Sequence, residues 1–278
     1  MSQQFIGQYA LTGSELPSDF SAPFGSRRYV SAGASIQDAV DAASAGDVIF
    51  IAPGEYDENV LIETEQITLI GAGPRHSVRI TGTLAGTATG VTINGVNEVG
   101  LYNLNMEGRT GGSGLAITGS VRRIQVAGCK MHSGDQAVLL DGLAAQIVDV
   151  RIEHCVIGLS AIGVKITASG GGDPTNQVLL KDNYFLRITA DCILTAGFAV
   201  DLTVIGNTFA NVNGVEPTRF LDIDDASTTG FVANNVFATT LFSTAKFAIA
   251  AGVLFANNVS QAENPSAAVG GTSGRPDA

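Results

Sequence analysis

The sequence predicts an all-β chain wound as a parallel β-solenoid, and three observations carry the prediction. A short pattern recurs along it: apolar, any, apolar, any, any, Asn or small, any, apolar. Further short apolar runs fill the intervals, and no helical stripe of residues interrupts them. The sixth position of the pattern falls at Ala72, Leu104, Cys129, Cys155, Asn183, Asn207, Asn235 and Asn258, which makes about eight coils spaced 23 to 32 residues apart. Spacing that uneven fits only coils whose loops lengthen while their strands keep register. Short strands without crossover helices bury a shared interior by winding one coil on the next. Neighbouring coils then lie about 4.8 Å apart.

Each part follows in chain order. Residues 1–30 carry Phe5, Tyr9 and Phe24 among polar residues and read as an N-terminal arm that anchors the chain to something else. Ser35-Ile36-Gln37-Asp38 resembles a capping box, and Ile36, Ala39, Val40 and Ala43 then share one face of a short helix ending near Gly46. That helix is expected as the N-terminal lid, because a solenoid exposes an open edge at each end. The strand Val48-Ile49-Phe50-Ile51 follows and turns at Pro53-Gly54, and the coils run through residues 31–260. Asn183, Asn207, Asn235 and Asn258 should stack at one turn, with Cys129 and Cys155 in the same column of earlier coils. The Gly-rich stretches 107–114 and 169–176 read as turns, and 261–278 as a Gly/Ser/Pro-rich tail.

Composition narrows the function. The 278 residues carry 26 acidic and 15 basic side chains, a formal charge of −11, so a nucleic-acid groove is not expected. No apolar run reaches the roughly 18 residues of a membrane helix, and no secretion signal opens the chain. Three cysteines without C-x-x-C spacing argue against a disulfide framework or a zinc site. His76, His132 and His154 lie in different coils, so no metal and no cofactor is expected.

Ser35 to Ala43, Gly46-Asp47-Val48-Ile49, Pro53 to Val60 and the coil repeats together resemble the pectin lyase-like right-handed parallel β-helix superfamily, over residues 30–260. The resemblance implies a right-handed β-helix; it says little of activity, because such a fold carries many functions. Gly54-Glu55-Tyr56-Asp57-Glu58 and Gln136-Ala137-Val138 look like two pectin methylesterase motifs. That chemistry would also need two aspartates on adjacent coils and an R-x-W, and the chain has no Trp. Both matches therefore read as fold pattern. Asp224-Asp225 is the one adjacent pair of aspartates, and it lacks the Gly-His-Gly that polygalacturonase-like hydrolysis would require.

The second position of the repeat should face outward. It reads Thr68, Gly100, Gln125, Arg151, Leu179, Thr203, Phe231 and Leu254, turning apolar toward the C-terminus. Leu179, Phe231 and Leu254 would form an exposed stripe, the mark of a protein interface, which three rods packed about an axis would bury. The leading expectation is a non-catalytic virion protein, like phage spike, fibre or capsid-decoration β-helices: a homotrimer made in the host cytoplasm, held to capsid or tail through residues 1–30. Host-surface polysaccharide is an expected contact, since stacked outward polar side chains suit a repetitive sugar. The alternative is a polysaccharide lyase or carbohydrate esterase using Lys181, Arg187, Asp222 and Asp224, with Asp222 and Asp224 both pointing outward from one strand.

Overall fold

The structure is a computed structural model that describes residues 25–83, 88–109, 111–143, 145–168, 175–197, 199–210, 216–238, 244–260 and 268–269. Its strands fall into three sheets that the chain visits in rotation. The first sheet runs from Arg27–Val30 and Val48–Ile51 to Thr229–Ala233 and Gly252–Ala256. The second runs from Gly54–Tyr56 to Asn258–Ser260, and the third from Val60–Ile62 to Phe247–Ile249. Every pairing in the first and third sheets is parallel. The third sheet has eight strands, one to each turn of the chain. The chain is an all-β parallel solenoid, as the repeat predicts.

Alternation along each strand sends every second side chain inward, so each sheet contributes vertical columns to one core. In the second sheet the inward column reads Tyr56, Ile80, Met106, Met131, Ile157, Phe185, Phe209 and Phe237. All are buried. It changes from aliphatic to aromatic: Phe209 stacks on Phe185 at 4.7 Å and on Phe237 at 4.8 Å, centroid to centroid. Phe220 and Phe247 meet the same cluster from the third sheet.

The asparagines stack as the spacing predicts. Each of Asn183, Asn207 and Asn235 donates its Nδ2 both to the next Asn Oδ1 and to a carbonyl of the coil before. Asn183 Oδ1 also accepts from Cys155 N at 2.9 Å, which joins the thiol coils to the ladder. Burial pushes the Cys129 thiol up from its ordinary range, and that of Cys192 likewise.

One regularity at this turn is not in the repeat as read. From Leu104 onward, the residue before each sixth position of the repeat adopts positive φ: Asn103, Gly128, His154, Asp182, Gly206, Asn234 and Asn257. Asn, Asp and Gly tolerate that conformation best.

The helix spans Ile36–Asp41, shorter than the run to Gly46, with Ile36 and Val40 buried. Ser35 Oγ accepts from Asp38 N at 3.1 Å, but the reciprocal partner is Glu58, not Asp38. Glu58 accepts from Ile36 N at 2.7 Å, Gln37 N at 3.1 Å and Ser35 Oγ at 2.9 Å. Gln37 then reaches the first strand of the third sheet: its side-chain amide exchanges hydrogen bonds with both backbone groups of Leu61.

Two stretches expected as turns enter strands. Ser113–Thr118 begins inside the Gly-rich segment, because Gly114 packs where a Cβ would sit 2.8 Å from the Met106 carbonyl oxygen. Thr175–Lys181 likewise opens on a buried Thr175, whose Oγ1 donates to Thr167 O. At the other end Ala268–Val269 pairs antiparallel with Asn258–Ser260.

Candidate functional site

Three outward faces follow from three sheets, and each has its own chemistry. On the first sheet the column Thr68, Gly100, Gln125, Arg151, Leu179, Thr203, Phe231 and Leu254 is in register from rung to rung. Leu254 is 52% exposed, whereas Leu179 and Phe231 are half-buried.

The adjacent outward column of the same sheet begins Tyr29, Phe50, Ile70 and Tyr102. Tyr29 is 64% exposed, and its ring stacks on Phe50 at 5.5 Å with 18° between planes. Tyr102 folds back over Gly100, where a Cβ would lie 2.8 Å from its Cε2. Its hydroxyl donates to Gln125 Oε1 at 2.8 Å. This second apolar patch was missed by the repeat, because Tyr29 and Phe50 precede its first unit. Between the two patches lies a charged waist, in which Arg123 pairs with Glu98 and Arg151 Nε with Asp149 Oδ1 at 2.9 Å.

The four charges proposed for a lyase or esterase do not converge. Lys181 lies on the first sheet, with its Nζ 3.8 Å from Asp182 Oδ2. Arg187 lies on the second sheet in Tyr184–Ile188, and Asp222 on the third in Arg219–Ile223. Asp224 sits beyond that strand, exposed, rather than sharing its outward face with Asp222. The reason is geometric. Lys181 and Arg187 share one coil, Asp222 lies on the next, and each coil passes all three faces.

Asp222 instead finds Arg219, to which it is hydrogen-bonded on the outer face of the third sheet. Arg219 is the rung neighbour of Asp191. Burial pushes the Asp191 carboxyl up from its ordinary range, the charge of Asp222 adds to this, and Arg219 opposes it. Arg219 has no motif around it, so only register reveals the trio.

On the second sheet Arg79 forks between Glu55 Oε1 at 2.9 Å and Glu107 Oε2 at 2.6 Å. His132 Nε2 lies 3.8 Å from the same Glu107 oxygen. Burial holds His132 below the usual histidine range, and Glu107 only partly offsets it. His132 Nε2 and Asn105 Oδ1 are buried without a hydrogen-bond partner.

The two motif matches have structural occupations. Glu58 holds the start of the helix, and Gln136 opens the third-sheet strand Gln136–Gly142, paired with Ser113 and Ile162. Glu58 also lines an open cleft of about 330 Å³ with Gly33, Ala34, Ser35, Glu55, Tyr56 and Asp57. Phe5, Tyr9 and Phe24 lie outside the described residues. No helix among the described residues is long and apolar enough to cross a membrane.

No protein-family model matches the sequence, and no curated protein matches it. Solved structures do. An alginate lyase from Paenibacillus sp. str. FPU-7 superposes with a TM-score of 0.61 and 16% identity, covering 85% of this chain and 88% of that one. The fold is the parallel β-helix that this structure shares. A pectin methylesterase from Aspergillus niger shares this β-helix with a TM-score of 0.51 and 17% identity, covering 92% of this chain and 95% of that one. A tailspike protein double mutant of E. coli bacteriophage HK620 gives 0.47 and 14%, covering 86% of this chain and 54% of that one. At such identities the likeness is one of β-helix architecture alone.

Proposed function

We propose that the protein is a structural subunit of a phage or phage-like particle, a β-helix rod that associates with copies of itself through the outer face of its first sheet. The observation that carries this reading is the in-register column ending in Phe231 and Leu254, the latter 52% exposed. Large apolar side chains aligned on a solvent face cost free energy until something covers them. A closed trimer covers them with three identical surfaces. The residues before Arg27 are the anchor to capsid or tail in this reading, since Arg27–Val30, expected as part of the arm, pairs instead into the first sheet, and the free flanks of the rod are where a host polysaccharide would lie. Size-exclusion chromatography with light scattering tests it. The parent chain should run as a trimer, and Leu254→Asp or Phe231→Asp should shift it toward monomer. A parent that stays monomeric overturns the reading.

A second reading is a carbohydrate-active enzyme, and the trio on the third sheet favours it. Asp191 with a raised pKa beside Arg219 and Asp222 is a pairing that acid–base chemistry uses. Anionic polysaccharides would be screened for new unsaturated ends or released ester groups. Turnover abolished by Asp191→Asn and Arg219→Ala would replace the structural reading.

A further inference from the structure

We infer that the copies lie side by side along the whole first sheet, with the aromatic column at its N-terminal end as a second half of the contact. This rests on the self-association proposed above and specifies which surface performs it. The first argument is area. Leu254 is half exposed and Leu179 and Phe231 are more covered, so the three offer on the order of 200 Å². A stable interface needs roughly 800 Å² from each partner. The C-terminal stripe alone falls well short.

The same face supplies the remainder. Ten strands lie on the direct path from Arg27–Val30 to Gly252–Ala256, nine rises of about 4.8 Å, so the strip is roughly 43 Å long. With a width of roughly 15–20 Å for strands of three to seven residues, the strip approaches the required area. Its other end is the aromatic column, with Tyr29 64% exposed and stacked on Phe50, and Ile70 and Tyr102 on the next two rungs. Two apolar ends on one face, from one sheet with a continuous register, fit a partner of equal length.

The waist between them suits a second copy as well. Arg151 and Glu153 stand two residues apart on one strand, in neighbouring outward columns. A copy set sideways by one column brings Arg151 against the partner's Glu153. Opposite charges meeting at one height fix register more than they add affinity.

The test uses the full chain. Tyr29→Asp, about 43 Å from Leu254, should weaken association about tenfold in sedimentation equilibrium, and Tyr29→Phe should leave it unchanged. The three native thiols are buried, so Gln125→Cys places one reactive thiol in the waist, and a short bis-maleimide should link chain to chain. If Leu254→Asp separates the copies while Tyr29→Asp does not, and Gln125→Cys gives no cross-link, the contact is C-terminal only. The inference then fails and the self-association stands. A parent chain monomeric at high concentration overturns both.

Discussion

Asn207 Nδ2 donates to Asn235 Oδ1 at 3.0 Å, and the same oxygen accepts the backbone N–H of Asn207 at 2.8 Å. One acceptor thus serves a side chain and a main chain of the coil before it, and the arrangement repeats at Asn183 and Asn235. Asn207→Ala removes the acceptor for two buried donors of Asn183 and strands the Leu180 carbonyl. Unmet buried groups of that kind cost about 1–3 kcal/mol each. The variant should lose about 3 kcal/mol, a drop in Tm of roughly 6–12 °C by circular dichroism. Asn207→Asp keeps the acceptor but not the donor, and should also melt below the parent.

Glu58 is expected to act on stability and not on chemistry. Its carboxylate takes two backbone N–H groups and one hydroxyl from the first turn of the helix. Charge at that position is favourable as well as hydrogen-bonded. Glu58→Ala should lower the urea midpoint by the equivalent of about 1–2 kcal/mol, with Glu58→Gln intermediate. An unchanged midpoint in both would remove this role.

His132 gives the rod an acid-side weakness. Burial keeps its folded pKa below the ordinary 6.5, so the unfolded chain binds that proton more readily. Stability is complete above that value and falls as the pH drops through it. His76 shifts in the same direction, chiefly by burial. Tm should therefore be lower at pH 5.5 than at pH 7.5, a window above ordinary carboxylate titration, and His132→Gln should flatten part of that slope. A Tm independent of pH in this window would contradict the assignment.

Asp191 works the other way. Its folded pKa is raised above 3.8 by burial and then by Asp222, so folding favours the protonated form. The stability this brings is present at low pH and is lost as the pH rises through the folded value. At neutral pH the ionised group is a net cost. Asp191→Asn should raise Tm by roughly one to three degrees at pH 7 and by nothing at pH 3.5. A lower Tm at pH 7 would show that the charge is needed by Arg219.

What could be seen in the sequence was whatever repeats along the rod. The outward column from Thr68 to Leu254 and the stack from Cys129 to Asn258 each occupy one position of the pattern, and the coil register reproduces both. Position around the rod was harder. Lys181, Arg187 and Asp222 look close in a linear reading because nothing in it marks the two bends each coil makes. A signal for one bend was present: from Leu104 onward the residue before each sixth position is Asn, Gly, His or Asp, the choice that positive φ imposes. The stacking of Tyr29 on Phe50 has no signature in the repeat for a different reason. They belong to strands whose loops and helix break the spacing before it begins.

The change in the second sheet's inward column, from Ile80, Met106, Met131 and Ile157 to three stacked phenylalanines, has a mechanical outcome. Flexible thioethers and aliphatic groups tolerate sliding between layers, whereas stacked rings beside a hydrogen-bonded amide ladder resist it. Pulled from its two ends, the rod should yield first near its beginning, leaving the ring-filled segment as the part that bears load.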